Sequence, residues 1–187
     1  MPSKPNRPRF IRAAPAVACL LAGLACLSWP DSAKAQATEY QVKAAFLLNF
    51  TKFIEWPPSA FSDSSAVFTI CILGKDPFGR TLDDIVEGEA YSGRKIVVRR
   101  LSQSPAPQVC QIAFIGASGK EAQRLVSGLD RGPLIVGDGP GFLRDGGMIA
   151  FEIDNRRVRF NINAAAAENA GLKLSARLLT VARSVEK

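Results

Sequence analysis

Val67-Phe68-Thr69-Ile70-Cys71-Ile72-Leu73 is a seven-residue run in which only Thr69 is polar. A strand with one wet face alternates apolar and polar side chains; an unbroken apolar run rich in β-branched and aromatic residues is a strand buried on both faces. Gly74 to Gly79 follows as a turn, and Phe78 to Val86 reads as a short helix with Leu82, Ile85 and Val86 inward. Buried strand, turn, helix is the opening of an α/β pattern. The chain repeats it. Lys95 to Leu101 is a second strand, entered through Ser92-Gly93, and Gln111 to Ile115 is a third. A helix runs from Gly119 to about Leu129, and Leu134 to Val136 is a short fourth strand.

Beyond these, Gly137 to Gly147 is glycine-rich and reads as a loop. Met148 to Ile153 and Val158 to Ile162 flank Asp154-Asn155-Arg156-Arg157, the composition of a β-hairpin. Asn163 can cap one long helix from Ala164 to about Arg183, with Gly171 in its middle. Upstream, Glu39 to Ile54 carries Val42, Phe46, Phe50 and Phe53 at helical spacing, and Trp56-Pro57-Pro58 stops it. The expected fold is α/β: a central mixed, mostly parallel sheet of about six strands with helices on both faces.

Residues 1–35 read differently. Lys4, Arg7, Arg9 and Arg12 precede an apolar stretch, Ala13 to Leu27, and Ala33-Lys34-Ala35 is a small-residue cleavage site before Gln36. That order is the layout of a secretory signal peptide, and the stretch is short of the roughly 20 apolar residues of a spanning helix. A single domain, residues 36–187, is expected in the periplasm. Five of the 24 Lys and Arg and one of the 17 Asp and Glu fall in residues 1–35, which leaves a net charge of +3 on the rest. So mild an excess gives no argument for nucleic acid. Cys19 and Cys26 would leave with the signal peptide. Cys71 and Cys110 remain, an even pair in an oxidising compartment, and are expected to form a disulfide.

The chain contains no histidine. Ser-His-Asp and Cys-His catalysis are therefore ruled out, and without a cysteine cluster a zinc site is not expected. Gly137-x-Gly139-x-Gly141 follows a strand but is followed by more loop, whereas a dinucleotide fingerprint opens a helix at once. Asp83, Asp84, Glu87 and Glu89 read as a solvated face rather than as an acid–base pair. No cofactor, metal or catalytic residue is expected, and the chain reads as a binder rather than an enzyme. Phe53, Trp56 and Pro57 form an aromatic cluster suited either to a core or to a partner groove. Arg157 and Arg159 share one face of the hairpin and could meet an anion or an acidic partner.

Three stretches together resemble one family. They are Tyr40-Gln41-Val42-Lys43-Ala44-Ala45-Phe46 leading into Phe53-Ile54-Glu55-Trp56-Pro57, then Cys71-Ile72-Leu73-Gly74-Lys75-Asp76-Pro77-Phe78-Gly79, then Gly147-Met148-Ile149-Ala150-Phe151 through Arg159-Phe160-Asn161-Ile162-Asn163 to Ala170-Gly171-Leu172-Lys173-Leu174-Ser175. In this order they look like the YfiR-like periplasmic proteins. The resemblance implies a non-enzymatic regulator that binds the periplasmic domain of an inner-membrane diguanylate cyclase and holds it inactive, lowering cyclic di-GMP and biofilm formation. It implies an outer-membrane OmpA-like lipoprotein as a releasing partner, and a homodimer. It also matches Cys71 and Cys110 to a family cysteine pair. A second pair known in the family has no counterpart here, since Gly141 to Asn163 contains no cysteine. The alternative reading, from the α/β architecture, is a periplasmic small-molecule binder or sensor without a cyclase partner, its ligand in the crevice at the C-terminal ends of the strands.

Overall fold

A computed structural model describes residues 31–106, 108–129 and 132–187. Of the signal peptide expected over residues 1–35, residues 1–30 lie outside them. The chain runs α1 (Asp31–Phe53), β1 (Ile54–Glu55), a 3-10 turn, β2 (Phe68–Gly74), α2 (Arg80–Val86), β3 (Ala90–Tyr91), β4 (Arg94–Leu101) and β5 (Ile112–Gly116). It continues α3 (Gly119–Ser127), β6 (Leu134–Asp138), β7 (Ile149–Asp154), β8 (Arg157–Asn163), α4 (Ala164–Asn169), β9 (Lys173–Leu174), α5 (Ala176–Val181) and β10 (Ser184–Glu186).

Eight strands form one sheet in the order β10-β8-β7-β6-β5-β2-β4-β3. Neighbours from β4 to β7 are parallel, while β7–β8 and β3–β4 are antiparallel. The apolar run 67–73 is therefore the middle of the sheet. Six of the seven residues of β2 are buried, as expected for a strand covered on both sides. Side chains alternate across a sheet. One row, Asp138–Phe151–Phe160, faces α1, where the Phe46 and Phe50 rings pack on Phe151 and Phe160 at 5.4–6.0 Å. Phe78, just before α2, meets Phe114 on the same face at 4.7 Å. The opposite face, where Gly137 points, is covered by Phe142 and α3.

The hairpin is as tight as two residues allow. Asp154 pairs with Arg157, and Asn155 and Arg156 take φ of 49° and 61°, the left-handed pair of a type I′ turn.

The expected long helix from Ala164 to Arg183 is two helices of six residues each. Gly171 is the reason. It takes φ +83°, its N–H bonds to the Glu168 carbonyl, and the next N–H, of Leu172, bonds to Ala167. These two bonds are a Schellman stop, which fits glycine at the position just past a helix. The chain then pairs β9 with β1, restarts at Ser175, whose hydroxyl accepts from the Leu178 N–H, and adds β10 to the sheet edge. Helical periodicity over 164–183 was thus real within each turn but not continuous. The two strands beyond the expected six, β3 and β10, are two and three residues long.

Candidate functional site

Among the described residues, two places that combine exposed side chains, concavity and charge stand out. The first is the corner after α1. Phe53 ends the helix, β1 pairs with β9, and a groove of about 340 Å³ lies between Lys52, Phe53, Glu55, Ser92 and Leu174. Phe53 and Pro57 are half-buried, and the Arg177 guanidinium lies over the Phe53 ring at 5.5 Å.

Trp56 does not belong to that surface. It is 6 % exposed, its indole N–H donates to the Gln111 carbonyl at 2.8 Å, and its ring meets Phe68 edge-on at 4.9 Å. The aromatic cluster therefore divides between core and surface. Gln111, 1 % exposed, completes the corner by accepting from the Thr69 N–H and donating to the Ala60 carbonyl. Arg157 and Arg159 lie elsewhere. The Trp56 corner sits where the parallel strands begin, and the hairpin tip follows the end of β7, at the opposite edge. Both arginines are exposed and share a face, opposite Asp154 and Glu152. Those carboxylates pair instead with Arg183, at 3.8 and 2.6 Å, and neither Arg157 nor Arg159 has an ion-pair partner among the described residues.

The second place was missed from the sequence. Lys43 sits on the inward stripe of α1 and is 3 % exposed. Its ammonium bonds Asp138 Oδ1 at 2.7 Å and Glu39 Oε1 at 2.5 Å, and lies 4.4 Å from the centre of the Tyr40 ring. The Tyr40 hydroxyl donates to Asp138 Oδ2 at 2.9 Å. Asp138, the last residue of β6, thus anchors two side chains of α1. Around them lies a cleft of about 380 Å³, walled also by Phe151 and Ile153. The signal available in the sequence was a lysine on an apolar helical stripe, together with an aspartate between two glycines after a strand.

Burial and the neighbouring Asp138 charge raise the Tyr40 phenol well above its ordinary value of about 10. A raised folded-state value contributes stability below the unfolded value and loses it as pH climbs towards the folded one. Unfolding free energy is therefore expected to fall above about pH 10. Tyr40→Phe should shrink that alkaline loss in denaturant titrations from pH 8 to 11, and an unchanged slope would refute the assignment. Asp138→Ala leaves a buried ammonium with Glu39 alone. Losing one partner of a buried pair costs several kcal/mol; with Asp138 one-third exposed, the loss expected in urea unfolding is about 2–3 kcal/mol.

The usual ligand crevice of such a sheet lies where the strand order reverses, here between β2 and β5. It is closed. The Lys75 N–H bonds to the Gly116 carbonyl at 3.0 Å, and the Lys75 carbonyl fills the space where a Gly116 side chain would stand. Of the four clustered carboxylates, Asp84 and Glu87 are exposed, Glu89 is half-buried, and Asp83 is tied to an arginine. Arg100 binds Asp76 and Asp83, and its hydrogen bonds hold Asp83 below the ordinary carboxylate range.

The family model described as DUF4154, YfiR/HmsC-like, matches residues 40–183. The chain belongs to the YfiR/HmsC-like family. The match begins at Tyr40 and takes in all three members of the Tyr40–Lys43–Asp138 network. Members of the YfiR/HmsC-like family are periplasmic regulators of diguanylate cyclase signalling, not enzymes. Among the described residues no helix is long and apolar enough to cross a membrane. No curated protein matches the chain. Among solved structures, the ABC domain in complex with L-Trp from Streptococcus pneumonia is similar with a TM-score of 0.44 and 13% identity, over 79% of this chain and 60% of that one. The chain thus spans less than two thirds of that structure's length, and so low a score carries no functional argument.

Proposed function

We propose that this protein is a periplasmic repressor that binds the periplasmic domain of an inner-membrane diguanylate cyclase and holds it inactive, lowering cyclic di-GMP and biofilm formation. The observation that carries this reading is the family match over residues 40–183. The mechanism is a population shift: the repressor binds the inactive cyclase conformation more tightly than the active one. Turning a two-state enzyme from 99:1 to 1:99 takes a differential affinity of about 5.5 kcal/mol. An interface of ordinary size with a few aromatic or arginine anchors reaches that figure.

The surfaces best suited to the contact are the Phe53–Pro57 corner and the Arg157–Arg159 strand face. Phe53 offers a half-exposed ring beside a groove, and the two arginines offer guanidiniums without ion-pair partners among the described residues. Because these surfaces lie at opposite edges of the sheet, they suit two different contacts. One engages the cyclase. The other fits a second copy in a homodimer or an outer-membrane OmpA-like lipoprotein that captures the repressor and frees the cyclase.

Deleting the gene is expected to raise cyclic di-GMP, and unchanged nucleotide levels would reject repression. In a titration of the purified protein with the cyclase's periplasmic domain, Phe53→Ala or the pair Arg157→Glu and Arg159→Glu should weaken binding by about tenfold or more. Wild-type affinity in both variants would remove these surfaces from the cyclase interface.

A further inference from the structure

The cleft at the ends of β6 and β7 belongs to neither of those surfaces. Its volume, about 380 Å³, lies within the range of small-ligand sites. It occupies the C-terminal edge of the sheet, where open α/β folds take ligands, although the ordinary crevice between β2 and β5 is closed by Gly116 and Lys75.

Its walls specify a chemistry. One side is apolar: the Phe151 ring, Pro140 and Ile153, the last 52 % exposed although it is a large aliphatic side chain. The other side is acidic: Glu39 and Asp138 against the single ammonium of Lys43; Glu152 also lines the cleft, but alternation along β7 turns its carboxylate to the other face. Lys43 is itself buried, and its charge is taken up by Asp138 and Glu39, so it offers nothing to an incoming anion. The side chains of Asp138 and Glu39 remain 33 % and 28 % exposed. Arg183 lies outside the walls and partners Glu152 from there. The cleft therefore presents a net negative charge beside an apolar shelf. An ammonium already sits in it over the Tyr40 ring, which demonstrates that the carboxylates and the ring face together hold such a group. A carboxylate or phosphate in the same place would confront the two like charges of Glu39 and Asp138.

We propose that the cleft is a binding site for a small organic cation, an amine or guanidine joined to an apolar group. The charged head meets Glu39 and Asp138, and the apolar body lies along Phe151 and Ile153. The site stands independently of the cyclase reading, since it concerns a ligand and not the partner surfaces.

The test is calorimetric titration of the purified protein with two probes of one shape, 2-phenylethylamine and 3-phenylpropionate. The amine is expected to bind and the carboxylate is not. Methylamine, lacking the apolar body, should bind at least tenfold more weakly than 2-phenylethylamine. Glu39→Gln should weaken the amine about tenfold while sparing the Lys43–Asp138 bond. Ile153→Ser, at an exposed position, should do the same with the unfolding midpoint unchanged. Absence of binding by the amine, equal binding of the carboxylate, or wild-type affinity in Ile153→Ser would each overturn the proposal.

Discussion

A protein carrying Cys71→Ala and Cys110→Ala is expected to lose about 4 kcal/mol of unfolding free energy. The two cysteines are joined in the structure, 39 residues apart in sequence. Cys71 lies in β2, the middle of the sheet, and Cys110 stands two residues before β5, its neighbour. The bridge therefore closes a loop that contains α2, β3 and β4. In the chain-entropy account a cross-link acts on the unfolded chain, and a loop of about 40 residues gives about 4 kcal/mol. Domains of this kind are stable by only about 5–15 kcal/mol in all, so the bridge is a large share. Both cysteines are buried, at 0 % and 4 % exposure, so the alanines also leave small voids. Guanidinium unfolding of the wild type in oxidising buffer, of the wild type reduced while unfolded, and of the double variant checks this. The last two should both fall well below the first, the double variant lower by the cost of the voids. A double variant with the wild-type midpoint would show that the bridge contributes nothing to stability.

The second large effect is expected at a residue with no side chain. In Gly116→Ala the new Cβ would stand 1.8 Å from the Lys75 carbonyl oxygen and 2.8 Å from its carbon. The clash is with backbone, not with the end of a flexible side chain, and that backbone is held by the Lys75 N–H to Gly116 bond. Relief requires the ends of β2 and β5 to separate in the middle of the sheet. Forcing volume into a packed interior costs about 1–3 kcal/mol where neighbours can give, and here they cannot, so a loss of about 3 kcal/mol or more is expected. The contrast is Gly141→Ala, whose Cβ meets nothing nearer than the Arg144 guanidinium at 3.6 Å and should leave the midpoint nearly unchanged. If the two variants unfold together, the switch-point crevice is not closed in the way described.

The hydrophobic pattern carried most of the architecture. An unalternating run at 67–73 can be accommodated only where both faces of a strand are covered, and the structure puts it mid-sheet. The hairpin around 154–157 was equally legible, because turn residues between two β-type runs admit few alternatives, though the structure shortens its turn to Asn155 and Arg156. The tail after Asn163 was misread, since the conformation of one residue decided it. Glycine in a helical pattern can sit mid-helix at a cost of about 1 kcal/mol or end the helix outright, and periodicity does not distinguish the two. Pairing of β9 with β1, more than a hundred residues earlier in the chain, favours the second.

Sites were less legible than strands for a related reason. Lys43 and Asp138 lie 95 positions apart and become a pair only when α1 lies across the end of β6. Trp56 and Phe53 look alike as members of an aromatic cluster; the Gln111 carbonyl that takes the indole N–H draws one of them inside. The amino-acid sequence alone established the compositional limits, the absence of histidine, the α/β layering and the resemblance to a family, because these depend on residue type and local period. Tertiary structure alone decided which charges are buried, which crevice is open and which aromatic faces outward. Those depend on contacts between segments remote in sequence, and the energy of a buried charge or a backbone contact is set by what the fold places beside it.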